Sequence, residues 1–137
     1  MVGTRPEAIK MAPVYLELLK YPNDFQPLLV STGQHKEMLQ QALKDFGIKP
    51  DIDLHVMTQN QTLAGMSSRM FDLIDGLFEE IKPDLILVQG DTTTVMVASL
   101  CAFYRKIPIG HVEAGLRSHN INLPFPEEKQ KNHWNCG

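Results

Sequence analysis

Hydrophobic positions along this chain follow two rhythms. Leu28-Leu29-Val30 and Leu85-Ile86-Leu87-Val88 are short unbroken apolar runs, the pattern of parallel strands covered on both faces. Between them apolar residues recur at three- and four-residue steps. Met38, Leu39, Ala42, Leu43 and Phe46 predict one helix, with Gly47 placed to end it. Leu63, Met66, Met70, Leu73, Ile74, Leu77, Phe78 and Ile81 predict a longer helix that stops before Pro83. A further helix is expected from Val95 to Tyr104, then a short strand around Ile109 to Val112. Strand and helix in this cadence predict an α/β fold built from βαβ units around a parallel sheet.

The first helix starts at about Arg5, where Thr4 and Glu7 fit a capping box. Pro13 inside it should produce a kink, because proline cannot donate to the preceding turn. A strand normally feeds such a helix and lies centrally in a doubly wound sheet. Only Met1-Val2-Gly3 precede it, so Val2 reads as the last residue of that strand and the chain as short at its beginning. At the other end, PFPEEKQKNHWNCG opens with two prolines fencing Glu127 and Glu128, then shows no helical or strand pattern.

Composition changes this picture little. The 137 residues amount to one domain, and 43% hydrophobic with 21% charged residues is ordinary for a globular protein. A formal net charge of -3 gives no reason to expect nucleic acid or an anionic membrane as partner. Cys101 and Cys136 are too few for a disulfide framework, which points to a reducing cytoplasm. No apolar stretch approaches a membrane span, and no signal peptide opens the sequence.

Candidate chemistry gathers at the strand-to-helix junctions, where open α/β sheets place their ligands. Five polar clusters occur there: Gly3 to Glu7, Thr32 to His35, Gly90 to Thr94, His111 to Arg117, and Pro124 to Glu128. Helix N-termini at that rim would favour a bound anion, and Arg5 and Lys10 add positive side chains. Each residue also has a plainer reading. Arg5 could pair with a surface acid and Lys10 be a solvated helix residue, while Asp91 could be an N-cap. Glu113 ends an otherwise apolar strand and needs a partner, for which Arg117 is a candidate. Glu127 and Glu128 could simply favour the positive end of a helix, and His35 and His111 could be loop or strand-end residues. His133 and Cys136 supply only two ligands, too few for a metal site. There is no G-x-G-x-x-G, no G-x-x-x-x-G-K-[ST], no G-x-S-x-G and no Cys-x-x-Cys.

As an ordered set, GTRPEAIKMAPV, TGQH, QGDTTT, GHVEAGLRS and PFPEE resemble the non-hydrolysing UDP-N-acetylglucosamine 2-epimerases from Gly3 to Glu128. The resemblance implies a Rossmann-like domain that is one half of a two-domain, glycosyltransferase-B-type enzyme. That enzyme acts on UDP-N-acetylglucosamine or a related UDP-sugar as a cytoplasmic homodimer without a redox cofactor. It also implies that Asp91, Glu113 and Glu127 match the catalytic carboxylates and that Arg5 and Lys10 lie on the substrate side. Gln34, His35 and Arg69 resemble residues lining a second, regulatory substrate site, although Glu37 stands where regulated members usually carry glutamine. After PFPEE the family pattern has an Asn-Arg pair; here Gln130-Lys131 and a divergent stretch, residues 129–137, follow. The expectation is therefore a partial N-terminal domain, 1–137, cut before the second domain, with a disordered tail. Alone it is expected to be inactive, or to serve as a nucleotide-sugar-binding or docking module.

Overall fold

Strands and helices alternate as the hydrophobic pattern predicts. The computed structural model describes residues 1–34 and 36–114. Its elements run α1 (Arg5–Leu18), β1 (Val30–Ser31), α2 (Lys36–Asp45), β2 (Ile52–Asp53), α3 (Leu63–Ile81), β3 (Ile86–Gln89), α4 (Thr93–Tyr104) and β4 (Ile109–Val112). Local stop signals act where expected. Gly47 adopts φ 70° beyond α2, and Lys82 adopts a left-handed φ of 45° after α3, just ahead of Pro83. Helix α1 runs through Pro13, which lies on the exposed side, where water can reach the carbonyl that proline leaves without a donor.

Both strand pairs are parallel. Val30 stands opposite Ile52 in one, and Ile86 to Gln89 stand opposite Ile109 to Val112 in the other. The segment Met1–Gly3 threads between the pairs. Val2 bridges to Ser31, donating to the Val30 carbonyl and accepting from Thr32 N–H, each at 2.9 Å. On the other side the Met1 amino group donates to the Leu87 carbonyl at 2.7 Å. Val2 therefore occupies the central strand position expected ahead of α1. Strand β2 is an addition to the elements predicted from the sequence. It is two half-buried residues long, too short for a period-two signal to register.

Alternation along β3 sorts side chains onto two faces. Ile86 and Val88 pack with Met66, Met70, Ile74 and Phe78 of α3 and with Val95 and Ala98 of α4. Leu87 and, from β4, Val112 pack with Ala8 and Met11 of α1 and with Leu39 and Leu43 of α2. The result is three layers, two helices on each side of the sheet. Helix α4 is buried almost all round, from Thr93 to Ala102, and burial pushes the Cys101 thiol up to about 11. No helix among the described residues is long and apolar enough to cross a membrane. Residues 129–137, the expected tail, lie outside the described residues.

Because the strands are parallel, the chain leaves every one of them at the same edge of the sheet. There the fold is tightest at Gly3. A Cβ on Gly3 would lie 2.2 Å from Thr94 Oγ1 and 2.5 Å from Thr32 Oγ1, and these hydroxyls bond one another at 2.9 Å. A methyl group must push that pair apart. Gly3→Ala should destabilise the chain by about 1–3 kcal/mol, the usual range for overpacking a dense site, read as a lower urea midpoint. An unchanged midpoint would mean the threonine pair yields freely.

Candidate functional site

Four of the five polar clusters meet at this edge, at least in part. Pro124 to Glu128, and with it Glu127, lies outside the described residues, as do Arg117 and His35. The cluster is organised by a residue that the sequence offered only as a helix cap. Glu7, 1% exposed, takes the N–H groups of Gly3 and Thr4 on Oε2, each at 2.6 Å, with the Thr4 hydroxyl at 3.1 Å. Its Oε1 takes the Thr92 hydroxyl at 2.5 Å. The N-terminus of α1, expected to favour a bound anion, thus already holds one from its own first turn.

Thr92, rather than Asp91, is the N-cap of α4, its hydroxyl oxygen accepting from Val95 N–H at 3.4 Å. Asp91 is the residue immediately before that cap. It sits half-buried in the turn between Gly90 and Thr92. Gly90 adopts φ 81°, a left-handed conformation natural to glycine. Its N–H donates to the Val112 carbonyl at 3.2 Å, and its own carbonyl accepts from His111 Nε2 at 2.6 Å. His111 is thus a strand-end residue that holds the Asp91 turn against β4.

Glu113 follows β4 directly, with φ 61°. Its carboxylate is held from two sides, by Lys10 Nζ on Oε1 and by Gln89 Nε2 on Oε2 at 2.5 Å. Lys10 from α1 is thus one partner of Glu113; Arg117, the candidate the sequence offered, lies outside the described residues. The Lys10 hydrogen bond holds Glu113 below the ordinary carboxylate range; desolvation opposes this, while the charge of Lys10 and the Gln89 amide add to it. Gln89 is 4% exposed, so one anchor is rigid and buried while the other is a flexible surface lysine. Arg5 is exposed at the first position of α1, on the same edge.

The candidate regulatory residues are less closely knit. Gln34 Oε1 accepts from the Thr94 hydroxyl at 3.3 Å, whereas Arg69 is exposed on α3, and no hydrogen bond among the described residues joins them. Glu37 lies in the first turn of α2. No group of three His, Cys, Asp or Glu residues that could hold a metal occurs among the described residues, and His133 and Cys136 lie outside them. The sequence placed Glu7 and Thr92 within the polar clusters and Gln89 beside one, but assigned none of them a role in the site. Each carries a complete local explanation as cap or strand end, so only their spatial neighbours reveal the further role.

The electrostatics of Glu113 can be tested directly. Its folded pKa lies below the unfolded value of roughly 4.3, so its contribution to stability is present above that pH and is lost as pH falls through the folded pKa. Lys10→Met should raise the Glu113 carboxyl pKa, followed by carbon-13 NMR titration, and flatten that acid-side loss. A titration curve indifferent to Lys10 would show that the pair has no hold on the acid.

Known proteins share this arrangement of chain. A family model described as UDP-N-acetylglucosamine 2-epimerase matches residues 17–132. The UDP-N-acetylglucosamine 2-epimerase of Bacillus subtilis is 56% identical over 126 residues, covering 92% of this chain and 33% of that protein. The crystal structure of the Neisseria meningitidis UDP-GlcNAc 2-epimerase bound to UDP-GlcNAc superposes with a TM-score of 0.89 at 52% identity, over 95% of this chain and 35% of that one. The Methanocaldococcus jannaschii UDP-GlcNAc 2-epimerase in complex with UDP-GlcNAc and UDP gives 0.84 at 32% identity, over 96% and 36%. The chain thus spans about a third of the length of the relatives it matches.

Proposed function

The chain belongs to the UDP-N-acetylglucosamine 2-epimerase family, and we propose that it carries the N-terminal half of an epimerase site that interconverts UDP-N-acetylglucosamine and UDP-N-acetylmannosamine. The observation that carries this reading is the convergence of Asp91 and Glu113, from separate loops, on the edge that also bears Arg5 and Lys10.

The C2 proton of the intact sugar is barely acidic. Breaking the anomeric C–O bond sends UDP away with the bonding electrons and leaves a cation developing at C1, which acidifies C2. A base then takes the C2 proton to give a glycal. An acid returns a proton to the opposite face of C2 as UDP adds back to C1, so the product differs only in configuration. Acid and base groups are needed on both faces of the ring. Glu113, kept ionised by Lys10, suits cation stabilisation or proton acceptance rather than donation. Asp91 and Glu127 supply the other carboxyl groups in this reading, and Arg5 and Lys10 counter the diphosphate charge. The same reading extends to a second substrate molecule at Gln34, His35 and Arg69, and to a cytoplasmic homodimer for the whole protein, with no redox cofactor.

The test is to graft this chain in place of the matching third of the Bacillus subtilis relative. Turnover of UDP-N-acetylglucosamine with deuterium uptake at C2 from heavy water is expected. Asp91→Asn and Glu113→Gln should each lower kcat by roughly 100-fold or more, the scale of a lost general acid or base. Wild-type turnover in both variants would overturn the assignment. The 137-residue polypeptide alone should bind UDP-N-acetylglucosamine weakly and exchange no proton; deuterium at C2 would refute the half-site view.

A further inference from the structure

Glu7 needs more explanation than helix capping provides. A capping-box glutamate satisfies backbone N–H groups of its own turn, and Oε2 does so here. Oε1 instead reaches 85 positions along the chain to the Thr92 hydroxyl. Thr92 is both the residue after Asp91 and the cap of α4, so this one hydrogen bond ties the start of α1 to the start of α4. On the other side of Asp91, Gly90 is held by His111 and by the Val112 carbonyl. The turn is gripped at both flanks, from α1 and from β4.

Packing reinforces the grip from below. The Thr32–Thr94 hydroxyl pair lies against Gly3, the residue whose N–H also donates to Glu7. Glu7 cannot shift toward Thr92 without dragging Gly3 and Thr4, and Gly3 has no room to move toward the threonine pair. The position of Thr92 is thereby referred to the central strand of the sheet rather than to a surface loop. No Lys or Arg side chain bonds Glu7 among the described residues. A nearby positive group is the Met1 amino group, whose pKa burial lowers to about 6 while Glu7 pulls it upward.

Resting on the function proposed above, we infer that Glu7 is a positioning residue for Asp91, acting through the Thr92 hydroxyl to hold the Gly90–Thr92 turn in register with α1. Glu113 is anchored across the edge by the buried Gln89 and paired with Lys10 of that same helix, so a Glu7–Thr92 bond that fixes the Asp91 turn against α1 also bears on the spacing of the two acids. Near-attack chemistry is sensitive to such spacing: a displacement of about 1 Å can cost roughly 100-fold in rate.

Two measurements decide the matter. In the 137-residue chain, nitrogen-15 relaxation should give the Asp91 amide the order of a rigid backbone, about 0.85, falling toward 0.6 or below in Thr92→Val. Thr92→Ser, which keeps the hydroxyl, should restore it. Glu7→Gln leaves the Thr92 cap on α4 intact and swaps a charged acceptor for an amide; it should loosen Asp91 in the same direction while amides from Val97 onward keep their exchange protection. In the grafted enzyme, Thr92→Val should lower kcat by roughly 100-fold with KM within a few-fold, and Thr92→Ser should recover most of the rate. An Asp91 amide equally ordered in Thr92→Val and Glu7→Gln, or a kcat unchanged in both, overturns the inference. Should the unmutated graft be inactive, the epimerase reading fails, while the relaxation data still decide whether Glu7 holds the Asp91 turn.

Discussion

A carboxylate sealed from solvent at the head of α1 sets terms for everything around it. Glu7 is 1% exposed, and an ionisable group so placed is stable only if donors surround it. Two backbone N–H groups and two hydroxyls do so. Hydrogen bonds to a charged group contribute about 1.5–3 kcal/mol each, and an unpaired one leaves a penalty of similar size. The geometry of Gly3, Thr4 and Thr92 is therefore constrained together. A shift in any of them strands part of the carboxylate.

The acid at the end of β4 is held by a different kind of interaction. Glu113 meets a buried amide, Gln89, and an exposed ammonium, Lys10. The exposed pair is screened by water and easily rearranged, whereas the amide is locked in the sheet. Such a pairing leaves one carboxylate oxygen anchored in the sheet and the other on a solvent-exposed partner. The turn that carries Asp91, by contrast, is bonded at both flanks, through Gly90 and through Thr92.

The common edge follows from the parallel sheet. Helices on both faces return the chain to the same starting side after each strand, so each strand delivers its trailing loop to the opposite side. Four short polar stretches scattered over more than a hundred positions become neighbours by that topology alone. It needs no attraction between the loops. Their hydrogen bonds then refine a proximity that the sheet has already imposed.

Much of this was legible in the residues themselves. Continuous apolar runs, three- and four-residue stripes and the stops at Gly47 and Pro83 established the α/β alternation. They could do so because a helix turn or a strand face is written within a few consecutive positions. The central place of Val2 was also readable, from the rule that a strand feeds the first helix. Strand β2 was not, because two residues carry no period. Tertiary structure alone decided that Glu7 bonds Thr92 and that Lys10 meets Glu113. Those pairings join positions 85 and 103 residues apart, and no local pattern encodes which distant side chain will arrive. Strand order and the crossing of the helices choose it, and these emerge only when the whole core packs.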